Sequence, residues 1–336
     1  MKSLKNEFRR DSVRLEESDK VVFFRLVWFF SQWYRLSRKT KTLGQIIFTM
    51  DVFTFNLVLN ATDSFHQHKK QGRLAQAVAL YSEMMLLLSD MQSSTDSTES
   101  DIALGLMSRL FYVSEPMDRL PKLMGRWTPG TNTREYLCDL VELCHVSLKL
   151  LEAYAQESIE PQDKKKPKKV NSGNNVEKMK MAAAEFDVKS YFCRKIISNQ
   201  LISMYIHLLG QYKLNSVNIN RHIIAMFLKI SRTELVTPEP QDVDSPINPL
   251  GEKRVTLEPM LYNIHLFLVI EQILNDPAIR GDKDFASLIR FCSDHMYRFW
   301  SAAEENPMAY VECLFRHSMP HRFCESFTNL LSLIHI

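Results

Sequence analysis

The 10 histidines and 6 cysteines are the side chains best suited to hold a metal or attack a substrate, and their spacing argues against both roles. His317 and His321 are spaced i,i+4, which on a helix would set two imidazoles on one face. Pro320 lies between them and breaks such a helix, so the plainer reading is a helix boundary with exposed histidines. Cys144 and His145 are neighbours and point different ways on a helix. Cys138, Cys144, Cys193, Cys292, Cys313 and Cys324 form no CxxC. Each sits in an apolar helical context, where free cysteine acts as a small hydrophobe. That implies a reducing compartment without disulfides or a zinc finger. GxxxxGK[ST], GxGxxG and HExxH do not occur. No catalysis, cofactor or metal is expected.

The cations offer more. Arg35, Arg38, Lys39 and Lys41 gather at the end of a predicted helix with no acid beside them. They complement the helix dipole, or they contact the phosphates of duplex DNA without reading its sequence. Lys164, Lys165, Lys166, Lys168 and Lys169 have three readings. They are a solvated linker, a nuclear localisation signal kept extended by Pro167, or a DNA contact acting through counterion release. Thr237-Pro238 and Ser245-Pro246 are minimal proline-directed phosphorylation sites in a stretch expected to be an exposed loop.

Helices must position these groups. Glycine is scarce, at 9 residues, so tight turns and phosphate-cradling loops are few. The net charge of +3 does not by itself demand nucleic acid. The run VVFFRLVWFFSQWY (residues 21–34) is too short and too interrupted to cross a bilayer. It reads as a helix over 17–39, with Phe23, Phe24, Trp28, Phe29, Phe30 and Trp33 as core between neighbouring helices or as a surface for a partner helix. Helical spacing continues over 43–68, 73–92, 102 onward to breaks near Pro116 and Pro121, and 134–157 behind Thr133 as N-cap. SSTDSTES reads as a polar loop. Residues 161–180 hold seven lysines, two acids and almost no large aliphatic residue, so a disordered linker is expected. Helices resume near 186 and run to 231, then over 257–275, 282–302, 307–316 and from 321 onward. The reading is all-α: a helical-repeat block over 1–157, a basic linker over 158–185, and a second block over 186–336 with a proline-rich loop at 232–256. The expected form is an irregular armadillo/HEAT-like solenoid.

The ordered segments VVFFRLVWFFSQWYR, GRLAQAVALYSEMMLLLSDM, MSRLFYVSEPMDRLPKLMGRW, TREYLCDLVELCHVSLKLLEAYA, KKKPKK, EFDVKSYF, LLGQYKLNSVNINRHIIAMFLKI and LEPMLYNIHLFLVIEQILND together resemble the Timeless family. The resemblance implies an armadillo/HEAT-like fold and a non-enzymatic scaffold in the nuclear replication fork-protection complex. It implies a Tipin-like small partner, the replicative helicase, polymerase and checkpoint mediator as neighbours, and contact with parental double-stranded DNA. No membrane is implied. The family has several hundred residues before the aromatic helix and more after the last one, so a fragment is expected. The alternative is a helical adaptor with no DNA role.

Overall fold

A computed structural model describes residues 2–10, 16–37, 49–112, 115–159, 187–238 and 252–315. The chain divides into two compact units, Met1–Val188 and Lys189–Ile336.

The first unit contains α1 (Lys2–Arg10), α2 (Glu17–Ser37), α3 (Val52–Gln67), α4 (Gln71–Gln92), α5 (Ser97–Tyr112), α6 (Glu115–Gly125) and α7 (Arg134–Ile159). Its centre is α4, whose sequence AVALYSEMMLLLSDM is apolar on most sides. Such a helix is stable only when surrounded, and α4 packs against α2, α3, α5 and α7. Local chemistry sets where the helices start. Asp51 caps α3, its Oδ1 accepting the Thr54 N–H at 3.0 Å. Helix therefore begins at Val52 rather than at 43, and residues 43–48 lie outside the described residues. Lys69, in the left-handed region at φ 56°, ends the turn after α3, so the break precedes Gly72 instead of including it. The polar stretch SSTDSTES is a loop over its first half and helix over its second. Asp96 Oδ1 accepts the Thr98 N–H at 2.9 Å and the Thr98 hydroxyl at 2.8 Å, and α5 starts at Ser97. The side chains that disfavour a helix interior are the ones that start a helix. Thr133 caps α7 as expected, its hydroxyl accepting the Tyr136 N–H at 3.3 Å.

The second unit opens near α8 (Val188–Tyr191), which runs into a π-helical turn at Phe192–Ile196. α9 (Asn199–Leu209) and α10 (Val217–Arg232) follow, each behind a serine cap, Ser198 and Ser216. Beyond the hairpin come a 3-10 turn (Glu258–Leu261), α11 (Ile264–Asn275), a second 3-10 turn (Pro277–Ile279), α12 (Ala286–Glu305) and α13 (Met308–Phe315). The core of this unit joins α10 to α12, with Phe227 and Phe291 stacked at 5.8 Å. A second cluster gathers Tyr262, Phe299, Ala303, Ala309 and Cys313.

The fold is all-α with one addition. Flanking the proline-rich stretch, β1 (Glu234–Pro238) and β2 (Glu252–Thr256) pair antiparallel, from Glu234↔Thr256 to Pro238↔Glu252. Each strand carries β-branched residues, which suit a strand. Five residues are too few for an alternating pattern to stand out. The linker expected over 161–180 lies outside the described residues, as does the expected helix from 321 onward.

Candidate functional surface

Of the cations singled out by sequence, Arg35 is the one that the described residues include. It stands in the last turn of α2, and its guanidinium forks onto Glu83 of α4, with Nε–Oε1 at 2.7 Å and Nη2–Oε2 at 2.9 Å. The cluster without an adjacent acid thus has one from another helix, 48 residues away in sequence. The bidentate fit suits guanidinium and carboxylate planes, and it commits Arg35 to the α2–α4 contact. Arg38, Lys39, Lys41, Lys164, Lys165, Lys166, Lys168 and Lys169 lie outside the described residues.

Around this pair the charge is unbalanced. Glu142 of α7 and Asp90 of α4 both act on Arg35. Burial, then Glu142, Glu135 and Glu83, push the Asp139 carboxyl up to about 7. Burial also raises Glu142, although Arg35 offsets part of that rise. Arg35 of α2 thus meets a junction where two helices, α4 and α7, bring carboxylates close.

The aromatic helix is two-faced. Phe23, Phe24 and Val27 are fully buried, and Phe23 meets Phe8 of α1 at 4.7 Å between ring centroids. The opposite face shows Val22, Leu26, Phe29, Phe30, Trp33 and Leu36. Their spacing is that of a helix stripe four turns long. Phe29 is 55% exposed and Leu36 72%. Phe29 and Phe30 hold each other edge-on at 5.3 Å. Arg25, on the same side, is exposed. Core packing therefore explains half of the aromatic set, and the other half faces outward. Large exposed apolar patches are typical of interaction sites.

The second unit contains a polar assembly that sequence reasoning did not pick out. In the turn between α9 and α10, the buried Asn215 side chain donates to Leu208 O at 2.8 Å and to Asn220 Oδ1 at 3.1 Å. Asn220 in turn donates to Tyr212 O at 2.9 Å. The adjacent Tyr212 hydroxyl donates to Asp276 Oδ2 at 2.5 Å, and Lys213 Nζ pairs with the same oxygen at 2.6 Å. These donors, Lys213 first, hold Asp276 down at about 2. Asp276 also caps the turn at Pro277, accepting the Ala278 N–H at 3.0 Å. The signal was present in QYKLNSVNIN, where three asparagines and a serine interrupt an apolar run.

The metal readings gain no geometry. His317, His321 and Cys324 lie outside the described residues, Cys144 is buried, and His145 is half-buried. Among the described residues no group of three or more His, Cys, Asp or Glu side chains could hold a metal ion. No described helix is long and apolar enough to cross a membrane.

Residues 199–325, from α9 through α13 and beyond, match the family model described as TOF1-like, helical domain. That stretch of the second unit is thus similar to the TOF1-like helical domain. Topoisomerase 1-associated factor 1 of Chaetomium globosum is 26% identical over 167 residues, and that of Neurospora crassa is 26% identical over 168. The human Protein timeless homolog is 22% identical over 165 residues. Each match covers 46% of this chain and 13% of the relative. Over that 46%, the chain is similar to these proteins, and it spans about an eighth of their length.

Proposed function

We propose that the chain is part of a non-enzymatic scaffold in a nuclear replication fork-protection complex. The observation that carries this reading is the outward aromatic face of α2, in a chain whose residues 199–325 are similar to the TOF1-like helical domain. A scaffold needs a rigid helical body and a surface that buries apolar area on a partner. α2 supplies such a surface, and its inner face, anchored by Phe23, Phe24 and Arg35, fixes its orientation. The occupant is a Tipin-like small protein presenting an amphipathic helix. The replicative helicase, polymerase and checkpoint mediator are further neighbours. The names of two relatives add a type I topoisomerase to the partners worth testing. Arg38, Lys39 and Lys41 with the lysines at 164–169 serve non-specific contact with duplex DNA, and the latter serve nuclear entry.

The test is co-purification of the tagged chain with the Tipin-like partner, with and without Phe29→Ser and Trp33→Ser. Wild type should retain the partner. The double variant should lose it while keeping its helical circular dichroism. Equal recovery by both would remove α2 as the docking surface. Recovery of transport receptors with no replisome protein would favour the adaptor without a DNA role.

A further inference from the structure

The second unit begins with a stretch of one charge sign. From Lys189 to Thr233 the chain holds no aspartate or glutamate, while cations recur up to Arg232. Acids make up 39 of the 336 residues, so a stretch of this length would ordinarily hold several. The fold gathers part of this charge on one surface. Lys229, in the last turn of α10, lies over the Phe192 ring, 4.9 Å from its centroid. That contact sets the end of α10 beside the π-helical turn. Arg194 and Lys195 follow Phe192 and are exposed, and Arg232 is exposed about one turn beyond Lys229.

Along α10 the surface continues. Arg221, Ala225, Leu228 and Arg232 share one face at helical spacing. The two arginines are exposed, and the two apolar residues between them are half-buried. Arg221 and Arg232 stand about 16 Å apart along the helix axis. Arg194, Arg221 and Arg232 enter no ion pair among the described residues. Glu258, on the 3-10 turn packed against α10, is engaged by Arg298. The counter-charge of these arginines therefore comes from outside the described residues.

Spacing selects among anions. A duplex carries one phosphate charge per about 1.7 Å of axis, hence about nine over this length. The face offers far fewer cations, and the exposed acids Asp187 and Glu234 stand just before and just after the acid-free stretch. An extended peptide sets residues i and i+4 on one side, about 13 Å apart. Acids at those positions come within reach of the long side chains of Arg221 and Arg232, and residue i+2 falls on Ala225 and Leu228. A guanidinium receives a carboxylate two-pronged. We propose that this face docks an extended acidic segment of a partner protein, with acids at i and i+4 and an apolar residue at i+2. The inference rests on the scaffold reading and gives the second unit a docking surface of its own.

The experiment titrates the full chain into a fluorescein-labelled peptide containing Glu-Ser-Leu-Ser-Glu and follows anisotropy at low salt. Wild type should bind. Arg221→Ser with Arg232→Ser should weaken binding about tenfold, the loss of two exposed charge-assisted contacts. Lys122→Ser with Lys283→Ser removes the same net charge from exposed positions elsewhere and should change binding by less than about twofold. A peptide of the same composition with its glutamates adjacent should bind severalfold more weakly. No binding by wild type, equal loss in the two double variants, or equal binding of the two peptides would overturn the proposal. So would a duplex that binds through the same arginines and is not displaced by the peptide. The assay contains no Tipin-like partner, so its outcome is separate from that of the α2 test.

Discussion

Glu83 shows how one residue can depend on a partner far away in sequence. It lies in an apolar stretch of α4 and is 4% exposed, where a carboxylate without a cation would be costly. Arg35 makes its burial tolerable. Arg35→Ala should destabilise the first unit by about 3 kcal/mol, because it leaves Glu83 buried without its counter-ion. Arg35→Lys should recover part of that loss, since an ammonium cannot reproduce the two-pronged contact. Replacing both partners with Met and Leu should recover most of it. Urea unfolding followed by circular dichroism measures all three. A shift below about 0.5 kcal/mol for Arg35→Ala would show that the pair contributes little. The lone acid in LYSEMMLLL was a sequence signal that a buried partner exists. Which cation fills that role depends on a crossing of α2 and α4 that spacing does not reveal.

At the scale of an element, α2 divides its aromatic residues between two tasks. Phe24→Ala on the inner face should cost about 3–5 kcal/mol, the usual loss for a buried phenylalanine. Phe29→Ala on the outer face should change stability by about 0.5 kcal/mol or less. Comparable losses at both positions would mean that the outer face is covered. Helix spacing predicted that these residues share a helix, but it could not say which face is inside. Phe23–Phe24 and Phe29–Phe30 are neighbouring pairs of the same type, and periodicity alone ranks them equally. Packing against α1 and α4 breaks the tie. The hairpin follows the same logic, since its two strands become visible only when paired.

At the scale of the whole molecule, the two units carry groups that titrate in opposite senses. His295 in α12 is fully buried between the rings of Tyr262, Phe267 and Phe291. Burial, and then Arg298, lower its pKa to about 4. The unfolded chain therefore binds a proton below about 6.5 that the folded chain refuses. The second unit should lose up to about 3 kcal/mol as pH falls from 6.5 towards 4. Asp139 behaves oppositely. Folded, with its pKa raised to about 7, it keeps a proton that the unfolded chain releases. The first unit should therefore gain from Asp139 as pH falls through 7, against a smaller opposing effect from His66, whose pKa burial lowers. Hydrogen exchange read segment by segment at about pH 5.5 and about pH 7.5 separates the units. Asp139→Asn should flatten the response of the first, and His295→Phe that of the second. If both units move together in the wild type and the variants change nothing, these two groups do not govern the pH response.

The sequence by itself determined what is local. Helical class, the Thr133 cap, the absence of nucleotide-binding motifs and the Timeless resemblance all rest on residue types within a few turns of one another. Propensity, capping and periodicity act over that distance. Where polar residues have two local uses, as in SSTDSTES, local reasoning found the loop over its first half and missed the helix start at Ser97, because a cap and a loop are built from the same side chains. The tertiary structure decided everything that couples distant segments. It set Arg35 on Glu83, Lys213 and Tyr212 on Asp276, His295 among aromatic rings, and Thr237 opposite Lys253. Burial and pairing are properties of neighbours in space. Which neighbours a residue acquires depends on how its helix is rotated and crossed by others, and that information is spread over the whole fold.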